Sequence, residues 1–433
     1  MPRFSLQPMI AFVLVPGLIF VCLPAYRGGN DPLVLTCAAA ALSLCLLLVT
    51  FPRMRGRALH LVLPLAAVLV AQLLALVGSS LDCAPAVEAA AAVNLSAPQW
   101  FPCTLRFGNS LSALFQTWVV FASGLLGFAI AGRVPVGWFI ALLMYVALMF
   151  GGLGAIRVVF DPLVLPGWVG FVNPNSLSTL LVVALLCWMQ QASGPLLEHL
   201  RSGRLVAVIG PVLLGLALVC TLMMTQSRLG MFVGLCACGL LVLIELGRRM
   251  NRYQRLHLTT LLVVMALTVV ALQAVAWINR VGDIHGSLLS RLSIYEQGAQ
   301  LWLKGIVFGV GAGTFEVVLP VVNSDPELAE KLWTKAHSTY LALYIEQGIL
   351  GLIAHIYAFG TVIMILIGDW WRTRSSVAAL GGVIVFAIGA HSVFDFSMEI
   401  PGVAASVAAI LGAILYPSLV AGSDPTLAAE PDG

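Results

Sequence analysis

INRVGDIHGSLLSRLSIYEQGAQLWLKGIVFGVGAGTFEVVLPVVNSDPELAEKLWTKAHSTYLALYIEQGILGL, residues 278–352, contains the longest polar stretch of the chain. It opens where one apolar run ends, near Trp277, and closes inside the next, near Gly351. Outward from it in both directions the sequence is mostly apolar runs joined by short polar turns. Charged residues make up 9% of the chain and hydrophobic residues 60%, against roughly 25% charged in soluble domains. That composition excludes a soluble globular protein and indicates a polytopic membrane protein. The net charge of +3 points to no nucleic-acid partner.

A spanning helix needs about 20 apolar residues. Runs of that kind lie near 8–25, 33–51, 59–79, 111–131, 137–156, 174–192, 205–224, 229–246, 258–277, 339–367, 377–393 and 402–419. The expected fold is all-α, with about twelve transmembrane helices and a long, partly helical periplasmic loop, 278–336, before the tenth span. One membrane domain takes in residues 1–420, and 421–433 form a short polar tail. No small-residue cleavage site follows the first run, so it is read as a retained span. An even number of spans puts both termini on one side, and arginine sets which side. Turns after even-numbered spans hold Arg53, Arg55 and Arg57; Arg133; Arg201 and Arg204; Arg248, Arg249, Arg252 and Arg255; Arg372 and Arg374. The opposite short loops hold only Arg27, Arg106, Arg157 and Arg228. Both termini are therefore expected in the cytoplasm and the long loop outside.

Seven of the nine cysteines lie in apolar runs, where cysteine behaves as a small hydrophobe. Cys83 and Cys103 share the other outward segment, 80–110. An oxidising space permits a disulfide between them; two unpaired thiols are the alternative. Within the long loop, Leu288, Leu292, Tyr295, Ala299 and Trp302 recur as one apolar stripe of a helix. Such a helix suits the membrane surface or the side of the bundle. SDPE at 324–327 carries the marks of a second helix start, expected to run to about Lys335 and deliver the chain to His337.

Charged and titratable residues at the outer edge of a membrane are costly and become functional candidates. Here they are Arg157, Asp161, Arg228, Arg291, Glu296, His337, Glu346, His391 and Asp395. Arg228 lies in TQSRLG, a turn too short to leave the membrane surface. It suits either a fixed cation gripping a phosphate or a snorkelling anchor for a helix end. Arg291, on the loop helix, is by itself an ordinary solvated charge. His337, just before a span, fits a general base near neutral pH or a helix-start cap. GVGAG at 309–313 follows no strand, so a tight glycine turn is the better reading than a phosphate-binding nest. Glu346 is expected to pair with a polar group or backbone inside the bundle. His391 and Asp395 stand four apart, close enough to hold each other. The outward loops show no metal-ligand pattern.

Six stretches together resemble the O-antigen ligase and O-antigen polymerase family of bacterial membrane glycosyltransferases. They are GFVNPNSLSTLL (170–181), TQSRLG (225–230), SRLSIYEQGAQLW (290–302), FGVGAGTF (308–315), AHSTYLALYIEQGILGL (336–352) and HSVFDFSMEIPGVA (391–404). The resemblance covers 170–404; the first half of the chain has only a compatible topology. Gly305 stands where the family often has proline. The resemblance implies that Arg228 and Arg291 engage the diphosphate of an undecaprenyl-diphosphate-linked glycan. It implies that His337 activates the acceptor hydroxyl, on lipid A–core or on another glycan, with Asn175, Glu346, His391 and Asp395 in support. It further implies an enzyme of the bacterial inner membrane, working on its periplasmic face without metal, cofactor or nucleotide sugar. Ligase and repeat-unit polymerase, for O-antigen or exopolysaccharide, share these residues. A polysaccharide flippase or transporter is the alternative from another class. It would favour broken helices and charge at the membrane midplane, whereas the polar residues here gather toward one face. A structural membrane protein comes third.

Overall fold

The computed structural model describes residues 15–25, 29–49, 51–79, 102, 104–160, 173–247, 289–298, 307–322 and 333–420. The ninth expected span, Cys83, Cys103, Asp161, the SDPE helix start and the polar tail lie outside these residues. Among the described residues the chain is helical, with one isolated antiparallel bridge, Met54 to Val420, and no strand. A helical stretch covers 15–25. After it come α1 (Pro32–Leu48), α2 (Leu59–Ser79), α3 (Phe107–Ala131), α4 (Val136–Phe160), α5 (Pro174–Arg201), α6 (Leu205–Met224), α7 (Arg228–Gly247), α8 (Phe315–Val322), α9 (Thr339–Thr373), α10 (Ser376–Ser392) and α11 (Pro401–Leu419). Eight described helices are long and apolar enough to cross a membrane, and α1 and α10 are apolar but shorter. The chain is thus a multi-pass membrane protein, helical throughout the described spans.

Local chemistry explains the boundaries. Asp31 caps α1, accepting from Leu33 N and Val34 N ahead of Pro32. Ser338 and Ser375 cap α9 and α10 in the same way. Pro401 opens α11, where its missing N–H costs nothing. The outer helices carry apolar side chains into open surroundings: α6 exposes Leu205, Val206, Ile209, Leu213, Leu216 and Met223. A water-facing helix would not tolerate that stripe, and hydrocarbon does. The core is α11, buried along nearly its whole length. It meets α3 backbone to backbone: a Cβ on Gly127 would overlap the Ala409 carbonyl, and one on Gly412 the Gly124 carbonyl. Small residues of this kind let membrane helices approach closely.

α11 also fixes the two ends of the bundle. At its C-terminus, Arg55 N donates to the Leu419 carbonyl (2.7 Å) and Arg57 to the Ser418 carbonyl (3.3 Å). The turn after α3, with Arg133, lies nearby, since Gly132 abuts Tyr416. The N-terminus of α11 follows the 391–400 turn, where the polar side chains collect. The arginine-rich turns and the candidate residues therefore occupy opposite ends.

Two expectations for the long loop are corrected. Residues 289–298 are helical, but the buried face is Ile294, Gln297 and Gly298, while Leu292 is 52% exposed. Gly298 decides this, because without a side chain it lets the helix press on Leu341 of α9. Residues 333–338 are not helical, so the chain does not come to His337 on a helix through Lys335. A helix the sequence reading did not foresee, α8, follows the glycine turn instead.

Candidate active site

The site is assembled from four chain segments that meet at the end of the bundle opposite the arginine-rich turns. The first is the glycine turn docked on α9. α9 is broken at Gly348 (φ 68, ψ −173), a region open essentially to glycine alone. Gly309 (φ 75) rests against this break, and a Cβ on either glycine would collide with the backbone of the other segment. Val310 N donates to the Ile345 carbonyl (3.1 Å) and Gly311 N to that of Glu346 (2.9 Å). The Glu346 carboxylate then accepts from Gly313 N (2.8 Å) and Phe315 N (3.1 Å), at the start of α8. Glu346 thus pairs with backbone, and the N–H groups that a phosphate nest would need are taken by this internal anion.

The second segment is the stretch before α9. His337 adopts φ 54, a left-handed conformation uncommon outside glycine. Its carbonyl accepts from Tyr295 Oη (2.9 Å). Its imidazole stands between the edges of Trp333 (centroids 5.5 Å apart) and Phe396 (5.1 Å). Burial, reinforced by the Arg291 guanidinium and opposed by Asp395, lowers its pKa to about 4. At neutral pH the ring is uncharged, with a lone pair available.

The third segment is the 391–399 turn. Asp395 is fully buried. It accepts from Asn175 Nδ2 (2.9 Å) and from the Ser397 hydroxyl, and its Oδ2 lies 3.7 Å from His391 Nδ1. The Asp395 carbonyl accepts from both the backbone N–H and the hydroxyl of Thr339 (3.2 Å each), which ties this turn to the start of α9. His391 Nδ1 also meets Thr179 Oγ1 at 3.2 Å. Arg291 reaches in from the 289–298 helix and donates to the Phe394 carbonyl (3.3 Å).

The fourth segment is the TQSRLG turn. Gln226 is left-handed (φ 54), and α7 begins at Arg228, which is half-buried. Ser227 Oγ accepts from Gly230 N (3.1 Å) and lies 3.0 Å from Ser178 Oγ. Ser178 donates to the Asn175 carbonyl (2.6 Å). The turn carrying Arg228 is therefore pinned to the first turn of α5, from which Asn175 holds Asp395.

Arg291, His337, Asn175, His391 and Asp395 are brought together, and the Arg228 turn is fastened to the same corner. Glu346 belongs to the adjoining glycine-turn cluster, and Glu296 is exposed. An open cleft of about 760 Å³ runs beside this end between α2 and α9. It is lined by Gln72, Ser110, Phe308, Glu346 and Leu350, not by the arginines or His337.

Sequence reading missed the Lys335–Glu399 ion pair (3.1 Å). Burial pulls the Lys335 ammonium down, but Glu399, Glu346 and Glu316 outweigh it and hold it above the ordinary lysine range. Burial pushes the Glu399 carboxyl up to about 7 against the pull of Lys335. Missed too were Asn109, which donates to Glu316 (2.9 Å) and to the Gly313 carbonyl (3.0 Å), and the rings flanking His337. Their charges and rings sat in stretches that looked like ordinary solvated loop; only tertiary contact reveals them.

No curated protein matches the chain. A family model described as O-antigen ligase matches residues 213–356, about a third of the chain, from within α6 through Arg228, Arg291, the glycine turn and His337 to the middle of α9. That match lies over the all-helical membrane bundle, so this third of the chain is similar to the O-antigen ligase family and supports an assignment to it.

Proposed function

We propose that this protein moves a glycan from undecaprenyl diphosphate to an acceptor hydroxyl, with the active site on the periplasmic face of the bacterial inner membrane. The observation that carries the reading is the convergence of Arg291, His337 and the Arg228 turn on one end of the bundle. Three unrelated segments supply them, and no local structural need brings them together. The side chains suit the reaction. The acceptor oxygen attacks the anomeric carbon while the carbon–oxygen bond to the diphosphate breaks, so configuration inverts and the carrier leaves with the electron pair. One proton must leave the acceptor, and the uncharged imidazole of His337 can take it. Negative charge grows on the departing diphosphate, and two guanidiniums can stabilise it. Asp395 lies behind His337 with a charge that favours the imidazolium formed in that step. A donor diphosphate beside Arg291 would offset its repulsion of the imidazolium and strengthen the base once donor is bound.

Deletion of the gene followed by electrophoresis of surface glycans tests the reading. Transfer to lipid A–core predicts core without polymer and accumulation of lipid-linked glycan; repeat polymerisation predicts core bearing a single repeat. An unchanged glycan profile with no lipid-linked intermediate would contradict both.

A further inference from the structure

Three buried polar atoms beside the proposed base have no hydrogen-bond partner: Trp333 Nε1, His337 Nδ1 and Glu399 Oε1. They come from two neighbouring contact pairs joined through the 333–337 segment. Trp333 meets His337 edge to face, and Lys335, between them in sequence, pairs with Glu399. Phe396 closes the other side of the imidazole. Leaving such an atom unmet is destabilising, and folded proteins pair the great majority of them. Three in one cluster is the pattern of a site whose ligand supplies the partners. The set offers a donor on the indole, an acceptor on the carboxylate, a nitrogen of either role on the imidazole, and ring surface around them.

The charge of the cluster narrows the ligand. Three carboxylates, Glu399, Glu346 and Glu316, act on the single ammonium of Lys335, so the Glu399 side of the cluster offers acceptors rather than a set of cations for a phosphate. Of the two arginines proposed for the diphosphate, Arg291 donates to the Phe394 carbonyl and acts on the His337 imidazole, and Arg228 begins α7. What fits is an uncharged polyol with alternating donor and acceptor hydroxyls and an apolar face. We infer that Trp333, Glu399 and Lys335 form a subsite for a neutral pyranose of the acceptor, placing one of its hydroxyls at His337. The Trp333 ring takes the sugar's C–H face, its Nε1–H donates to one hydroxyl, and Glu399 Oε1 accepts from another. None of Trp333, Lys335, His337 and Glu399 is fully buried; the Lys335 and Glu399 side chains keep 23% and 14% of their exposure, so the cluster borders the surface, and side chains must move for a sugar to enter. The inference rests on the transfer reading for the role of His337, but the binding itself is testable without turnover.

The full chain in lipid nanodiscs is titrated with methyl glucopyranoside, methyl galactopyranoside, methyl heptopyranoside and methyl N-acetylglucosaminide, followed by saturation-transfer NMR. Inorganic pyrophosphate is titrated in parallel. At least one glycoside should saturate. Trp333→Phe keeps the ring and loses the N–H; Glu399→Gln keeps the shape and loses the charge. Each should weaken that glycoside about three- to tenfold, the worth of one hydrogen bond, and leave pyrophosphate binding unchanged. Thermal unfolding of both variants checks that they fold. Saturation by none of the glycosides overturns the subsite, as does equal glycoside binding in wild type and both folded variants, or a loss confined to pyrophosphate. Failure of the transfer reading is a separate result: an unchanged surface-glycan profile on deletion, whatever the glycosides do.

Discussion

His337 concentrates the chemistry because opposing charges meet on it. Burial and Arg291 hold its pKa near 4, and Asp395 pulls the other way. Removing Arg291 as Arg291→Met should raise the His337 midpoint, and Asp395→Asn should lower it; histidine side-chain NMR across pH 3–8 reads both. A midpoint near the ordinary 6.5 that neither substitution moves would contradict the electrostatic picture. The sign for stability follows. The unfolded chain binds a proton at about 6.5 and the folded one only near 4. His337 therefore leaves stability intact above that window and lowers it as pH falls through it. At this scale the sequence was legible where a residue type is expensive in its place. Arg228 in a turn at the membrane edge, and His337 before a span, stood out on those grounds. Lys335 and Glu399 did not, because each looks like a solvated charge until the fold pairs them.

The element that organises the site is the break in α9. Glycine at 348 lets the helix unwind, Gly309 fills the gap, and Glu346 ties the turn to the start of α8. Glu346→Ala would leave two backbone donors without their charged acceptor and should cost about 3 kcal/mol, while Glu346→Gln keeps one acceptor oxygen and should cost less. Gly348→Ala forces a side chain into a glycine-only conformation and onto the Val307 carbonyl. It should be the most damaging of the three in thermal unfolding of the purified protein. Equal unfolding temperatures across the series would contradict this joint. The sequence announced the glycine turn but not the break it fits: YIEQGILG carries no proline and keeps its apolar period through Gly348. For the same reason periodicity placed the stripe of the loop helix one position away from the face that Gly298 buries.

Over the whole molecule, the apolar runs translated directly into helices wherever the chain is described, because a membrane demands internally bonded, apolar segments. The arginine turns and the polar corner fall at opposite ends, as the charge asymmetry requires. Which membrane side each end faces is a separate matter, and a single cysteine at position 296 on a cysteine-free background addresses it. Labelling by a membrane-impermeant maleimide from the periplasm is expected; labelling only after the cytoplasm is opened would reverse the orientation. The most direct test of the transfer mechanism is complementation of the deletion strain with His337→Ala, with surface glycan and lipid-linked glycan measured together. If His337 removes the acceptor proton, the variant is made and inserted normally, transfers no glycan, and lets the lipid-linked donor accumulate to the level of the deletion. Normal surface glycan from His337→Ala would contradict the mechanism.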